Sequence, residues 1–106
     1  MAFQMSAQLL DACVLAVLSK EDTYGYRLTS EIRTIVEVSE STMYPVLRRL
    51  QKDTSLETYD VPIQGRNRRY YHITPQGRTA LERYREEWRD YKEKVDSILG
   101  NGGEDI

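Results

Sequence analysis

A chain of 106 residues fits one domain, and 40 % hydrophobic with 30 % charged residues is ordinary globular composition. No apolar run approaches the roughly 18 residues a membrane-spanning helix needs, and a single cysteine excludes an internal disulfide. The net charge of −2 argues only weakly against a nucleic-acid partner, because the placement of charge matters more than its sum.

The first helix is expected from about Gln4 to Leu18, apolar on most sides and therefore buried on more than one face. Asp11 interrupts its apolar stretch, and neither a basic flank nor a small-residue cleavage site marks a secretory signal. The protein therefore reads as cytoplasmic. Cys13 lies within this stretch and is expected to be a buried thiol. Together with the single His72 it cannot build an ordinary zinc site, so no metal or cofactor is expected.

A polar break over Ser19–Asp22 precedes a second helix from about Tyr24 to Val36, with Thr23 as N-cap and an apolar stripe of Leu28, Ile32, Ile35 and Val36. Ser39 caps a third helix over Glu40–Lys52, whose buried side is Met43, Val46, Leu47 and Leu50. Pro45 breaks helix propensity there, but the apolar spacing runs through Met43 and favours the longer helix. Two strands follow, Leu56–Ile63 and Arg69–Thr74. The polar turn between them, Gln64-Gly65-Arg66-Asn67-Arg68, gives a hairpin with a basic tip. Thr74 as N-cap and Pro75 at the first position start a last helix that runs to Leu99, where Gly100 offers a left-handed cap.

Three short helices, a hairpin and a long helix define a mostly α chain with a small β-hairpin. This is a winged helix-turn-helix with a long C-terminal dimerisation helix. The expected division is a winged-helix domain over 1–74, the dimerisation helix over 75–99 and a flexible tail over 100–106. Positive charge gathers in the reading half. Between Tyr44 and His72, Arg48, Arg49, Lys52, Arg66, Arg68 and Arg69 face only Asp53, Glu57 and Asp60. With its apolar side packed inward, the third helix turns Thr42, Tyr44, Pro45, Arg48 and Arg49 outward. Arginine forks onto guanine edges or grips phosphate, and threonine and tyrosine hydroxyls donate to bases or phosphates. A solvated amphipathic helix would look the same, but three arginines around a tight turn repel one another unless they meet an anion. Arg66, Arg68 and Arg69 therefore favour double-stranded DNA as the partner.

The segments Tyr24-Gly25-Tyr26, Ser39 through Leu50, Gly65 through Tyr71 and Ile73 through Arg78 resemble, in order and spacing, the PadR family of bacterial transcriptional regulators. That resemblance covers about residues 9 to 82. It implies a winged-helix homodimer on an inverted-repeat operator, usually a repressor, which in many members a small aromatic compound releases. It assigns DNA contacts to Thr42, Tyr44, Arg48 and Arg49, places Tyr24 and Tyr26 near the backbone, and sets the wing arginines beside the duplex. The family tolerates a proline at the place of Pro45. It usually carries a glycine after the third helix, where this chain reads Asp53-Thr54-Ser55. The single short C-terminal helix resembles the small subfamily that includes multidrug sensors.

Along the last helix Leu81, Tyr84, Trp88, Tyr91, Val95 and Ile98 recur at alternating spacings of three and four, the seam of a coiled coil. This stripe packs either on the chain's own first helix or, as favoured here, across a two-fold dimer. Trp88 at mid-seam, with Tyr84 and Tyr91 a turn away, reads either as packed core or as a flat slot for a planar aromatic effector. Glu87 would favour a cationic ligand and Lys92 would oppose it. No nucleophile elbow, phosphate loop or dinucleotide fingerprint is present, so catalysis is not expected. The competing reading is a winged-helix dimer that binds another protein, for which three clustered wing arginines have no purpose.

Overall fold

The computed structural model describes residues 5–100; the expected helix start at Gln4 and the tail beyond Gly100 lie outside them. Helix α1, Ala7–Lys20, starts where the Ser6 hydroxyl accepts the Leu9 amide at 3.1 Å. It buries Leu10, Val14, Leu15 and Leu18, and with them Asp11. Running to Lys20, it absorbs part of the expected polar break.

Thr23–Tyr24 form a short strand, β1, and Thr23 is therefore not a helix cap. It pairs with Tyr71 and is 2 % exposed. Tyr24 takes the N-cap position of α2, Gly25–Arg33, without a capping side-chain bond. That helix is shorter than its apolar stripe suggested. Leu28 and Ile32 are buried and Val36 packs on the core from the following loop, while Ile35 is 85 % exposed.

Helix α3, Glu40–Lys52, has the expected bounds. The Ser39 hydroxyl accepts the Thr42 amide at 3.2 Å, and Met43, Val46, Leu47 and Leu50 all enter the core. Pro45 sits inside the helix on its exposed side. Pro45 cannot donate to the Ser41 carbonyl, but Ser41 is an exposed residue, which limits the cost. At the far end Ser55 N–H bonds to Leu50 O at 2.9 Å and Thr54 N–H to Gln51 O at 3.0 Å, a Schellman closure. The left-handed residue this closure needs is Thr54, at φ 61°, rather than a glycine.

Strands β2, Leu56–Ile63, and β3, Arg66–Ile73, pair antiparallel from Leu56↔Ile73 to Ile63↔Arg66, and β1 adds to the other side of β3. The turn is thus two residues, Gln64 and Gly65, both at positive φ (51° and 79°) as a type I′ turn requires. The wing arginines accordingly stand in β3 and not in a loop. Tyr71 and Ile73 face the core, whereas Arg66, Arg68 and Tyr70 lie on the opposite face of the strand.

Helix α4, Pro75–Leu99, begins as expected, with the Thr74 hydroxyl accepting the Gly77 amide at 3.0 Å. Gly77 permits its close approach to the end of α3. A Cβ there would meet the Ser55 carbonyl oxygen far inside contact and Ile73 Cγ1 at 2.7 Å. The helix ends at Gly100 with φ −91°, so the expected left-handed cap does not form. All four helices and the sheet share one core, which α4 joins through Leu81.

Candidate nucleic-acid interface and aromatic groove

A cleft opens between the start of α2, α3 and the wing. It brings together Tyr24, Tyr26, Tyr44, Arg66, Arg68 and Arg69, with Tyr71 at its floor. Tyr26 is 70 % exposed and Tyr44 48 %. The Arg68 guanidinium lies 4.2 Å from the centre of the Tyr24 ring, so a cation–π contact holds it against the sheet. Arg69 approaches Asp60 at 3.9 Å with both groups exposed, an interaction weak enough to yield to a stronger anion. Arg66 has no ion-pair partner among the described residues.

On α3 the consecutive arginines part company. Arg48 is exposed on the outward face. Arg49, expected beside it, turns to the protein and pairs with Asp11 of α1, whose side chain is only 9 % exposed. Burial pushes the Asp11 carboxyl above its usual range, and the Arg49 guanidinium only partly offsets that. Thr42 is exposed, but its hydroxyl lies 3.0 Å from Ser39 Oγ within the helix cap.

A second network covers the outer face of the sheet. Tyr24, Tyr70 and Tyr59 form a ladder across the three strands, with ring centres 5.6 Å apart at each step. Asp22 accepts the Tyr59 hydroxyl at 2.7 Å and lies 2.8 Å from His72 Nδ1. Burial would raise the Asp22 carboxyl, but the bonds from Tyr59 and His72 outweigh it and leave it below the ordinary range. His72 is thus tied into a strand-face network. Asp11, Asp22 and Tyr71 escaped the sequence reading. Only Asp11 carried a signal there, as a charge inside an apolar helix.

The seam residues of α4 divide. Leu81 is 3 % exposed inside its own chain's core and Tyr84 packs against that core, whereas Trp88, Tyr91 and Ile98 are 43, 63 and 78 % exposed. Val95 is half-buried. Between α1 and α4 runs a groove of about 380 Å³, lined by Leu9 and Ala12 on one side and Tyr84, Glu87, Trp88 and Tyr91 on the other. Gln8 Nε2 donates to Glu87 at 3.1 Å on its rim. Lys92 is not part of the lining. No group of three or more metal-ligating side chains occurs among the described residues, and no helix there is long and apolar enough to cross a membrane.

A three-helix core, a β-wing and an arginine- and tyrosine-lined cleft between them define a winged-helix protein of the kind that engages nucleic acid. Known proteins agree. A transcriptional regulator of Mycobacterium tuberculosis (strain ATCC 25618 / H37Rv) is 36 % identical over 99 residues, 92 % of this chain and 88 % of that protein. A solved Streptococcus mutans UA159 protein superposes with a TM-score of 0.87 at 40 % identity, covering 95 % of each chain. A solved PadR family transcription regulator from Clostridium difficile R20291 gives a TM-score of 0.79 at 32 % identity, over 86 % of this chain and 98 % of that one. The sequence profile of the family described as "Transcriptional regulator PadR-like family" matches residues 14–83. The chain belongs to that family and is a transcriptional regulator, not an enzyme.

Proposed function

We propose that this protein is a homodimeric repressor that binds an inverted-repeat operator and is released by a planar aromatic effector. The observation that carries the DNA-binding part is the cleft between α3 and the wing, where Arg66, Arg68 and Arg69 converge with Tyr24, Tyr26 and Tyr44. Arg48 and Thr42 on α3 are the candidates for reading base edges, and the wing supplies charge to the backbone. A module that binds only protein gains nothing from this cleft.

The dimer reading rests on α4. Trp88, Tyr91, Ile98 and Leu99 would leave a large apolar stripe in water on an isolated chain. The effector reading rests on the groove beside Trp88. Its one charged lining residue is Glu87, which supports a cationic planar ligand.

Electrophoretic shift of a random duplex at low salt tests the interface. Wild type is expected to bind, and Arg66→Ala and Arg68→Ala to weaken specific and random DNA alike and flatten the salt dependence. Wing variants that leave random-DNA binding unchanged would remove the wing from the interface.

A further inference from the structure

A further cleft, of about 350 Å³, opens where the end of α3 meets the first turns of α4. Its volume falls within the range of small-molecule sites, about 300–1,000 Å³. The junction behind it is pinned by Thr74, whose hydroxyl donates to Thr54 O at 2.6 Å and whose amide donates to Ser55 O at 3.0 Å. Gly77 lets the two helices close on each other there. The walls of the cleft are therefore fixed relative to one another, and a ligand meets a preformed site.

Leu50, Ala80 and Tyr84 give the cleft its apolar lining, and its charged lining is one acid, Asp53, and one base, Arg83. They come from different walls, Asp53 at the C-cap of α3 and Arg83 within α4. Neither forms an ion pair with the other or with any other described residue. The Arg83 guanidinium instead lies 5.7 Å from the centre of the Tyr84 ring, within reach of a cation–π contact. Asp53 is unfavourable to the fold on two counts. It stands at the negative end of the α3 dipole, where a cation is preferred, and its charge adds to the burial that raises the Asp11 carboxyl. An acid that the fold does not need and an arginine without an acid thus share one cleft with an apolar patch. A lone cation there is opposed by Arg83 and a lone anion by Asp53, so the lining selects a ligand that carries both charges.

We propose that this cleft binds a small zwitterion, an α-amino acid with an apolar side chain. Its ammonium group pairs with Asp53, its carboxylate with Arg83, and its side chain lies on Leu50, Ala80 and Tyr84. Such a ligand ties the end of α3 to α4. Tyr84 also lines the aromatic groove, so the two sites share a wall. Binding there is independent of the DNA-binding reading above.

Calorimetric titration of the full chain with L-leucine, L-methionine and L-phenylalanine at neutral pH tests this. At least one is expected to bind saturably, one molecule per chain. Its amide, which lacks the carboxylate, and its deaminated acid, which lacks the ammonium, should each bind about fivefold more weakly, the loss of one partly solvated ion pair. Asp53→Asn and Arg83→Gln should each weaken the amino acid by about the same factor. Both positions are exposed, and Asp53→Asn is expected to hold or raise the thermal midpoint because it relieves the end of α3, which separates lost binding from lost folding. Amide and deaminated acid binding as tightly as the amino acid overturns the zwitterion site, and so does amino-acid binding that survives both substitutions. The absence of saturable binding by all three amino acids up to about 10 mM overturns it as well.

Discussion

Arg49 of α3 and Asp11 of α1 form an ion pair at the edge of the core, with Asp11 the more deeply buried partner. Successive helix residues are turned about 100° from one another, and that rotation divides the Arg48-Arg49 pair between two tasks. Arg48 faces outward, while Arg49 braces α3 against α1, the helix that forms one wall of the aromatic groove. Tyr84, on the opposite wall, also borders Asp11.

Substitutions at the two positions should therefore separate. Arg48→Ala is expected to cost about 1–3 kcal/mol at the operator if the side chain forks onto a base, and to leave the unfolding midpoint in place. Arg49→Ala strands the Asp11 carboxylate and should destabilise the fold by on the order of 2 kcal/mol, because half-exposure of the arginine softens the penalty of a fully buried pair. Urea unfolding and operator titration on both variants give the comparison. A destabilised Arg48→Ala, or an Arg49→Ala of wild-type stability and reduced operator affinity, would reverse the assignment.

Asp11 also sets a pH dependence. Burial holds its carboxyl above the ordinary value of 3.8 in the folded state. The folded chain then binds more protons than the unfolded one across the interval above 3.8. This contribution to stability is fully present below that value and is lost as pH rises through the folded value. Asp22 acts with the opposite sign. Its carboxyl is held below 3.8, so its contribution is lost as pH falls through that lowered value. Asp11→Asn is expected to abolish the decline on the upper side of 3.8 and leave the acid-side loss intact. Urea midpoints from about pH 3 to pH 7 measure both slopes. An Asp11→Asn profile parallel to wild type above 3.8 would show that the aspartate is unperturbed.

The junction between α3 and α4 makes a third prediction. Thr54 holds a left-handed conformation that β-branched residues disfavour. Thr54→Gly should therefore raise stability by about 1 kcal/mol, provided relief of strain exceeds the added freedom of the unfolded chain. Gly77→Ala pushes a methyl group into the Ser55 backbone and should cost about 3 kcal/mol or more. Both are read from denaturant midpoints.

This junction also shows where sequence reading succeeds and where it stops. Helices α3 and α4 were legible to the residue because Ser39 and Thr74 cap them in the ordinary way and their apolar spacing is unbroken. The Schellman closure was not, since threonine carries no signal for the left-handed conformation. Strand β1 has two residues and no period to detect, so Thr23 read as a cap. The type I′ turn escaped because glutamine, and not asparagine or glycine, stands at its first central position. Of the candidate site, the charge cluster was visible in composition. The inward turn of Arg49 and the burial of Tyr71 depend on what packs opposite them, which one chain's pattern does not encode.

For the dimer, the exposed stripe of α4 beyond Tyr84 is the expected contact. Leu81 already serves its own chain's core, so the seam to disrupt is the distal one. Val95→Glu with Ile98→Glu is expected to yield a folded monomer with much weaker operator binding, since one chain then presents one recognition helix to a two-fold site. Analytical ultracentrifugation at micromolar concentration decides this. A wild-type monomer would remove the dimer from the proposal.

The last prediction concerns the groove beside Trp88. Its walls are aromatic and apolar, and Glu87 is its only charged lining group, so a flat cation should enter it more readily than a flat anion of the same size. Occupancy would spread α1 from α4. On the Tyr84 side that movement reaches Asp11 and, through it, Arg49 and the seating of α3. Such a ligand lowers operator affinity only by as much as it prefers the non-binding arrangement, so effector and operator must weaken each other by the same factor. Titrating a planar cationic dye while recording Trp88 fluorescence should show saturable quenching, weakened in Trp88→Ala when dye fluorescence is followed instead. Glu87→Gln should lower affinity for the cation several-fold and leave a neutral analogue unaffected, as expected from losing one partly solvated ion pair. Added operator should then raise the dye's dissociation constant by the factor by which dye raises the operator's. Quenching without that reciprocity would leave the groove a binding site with no hold on the recognition helix.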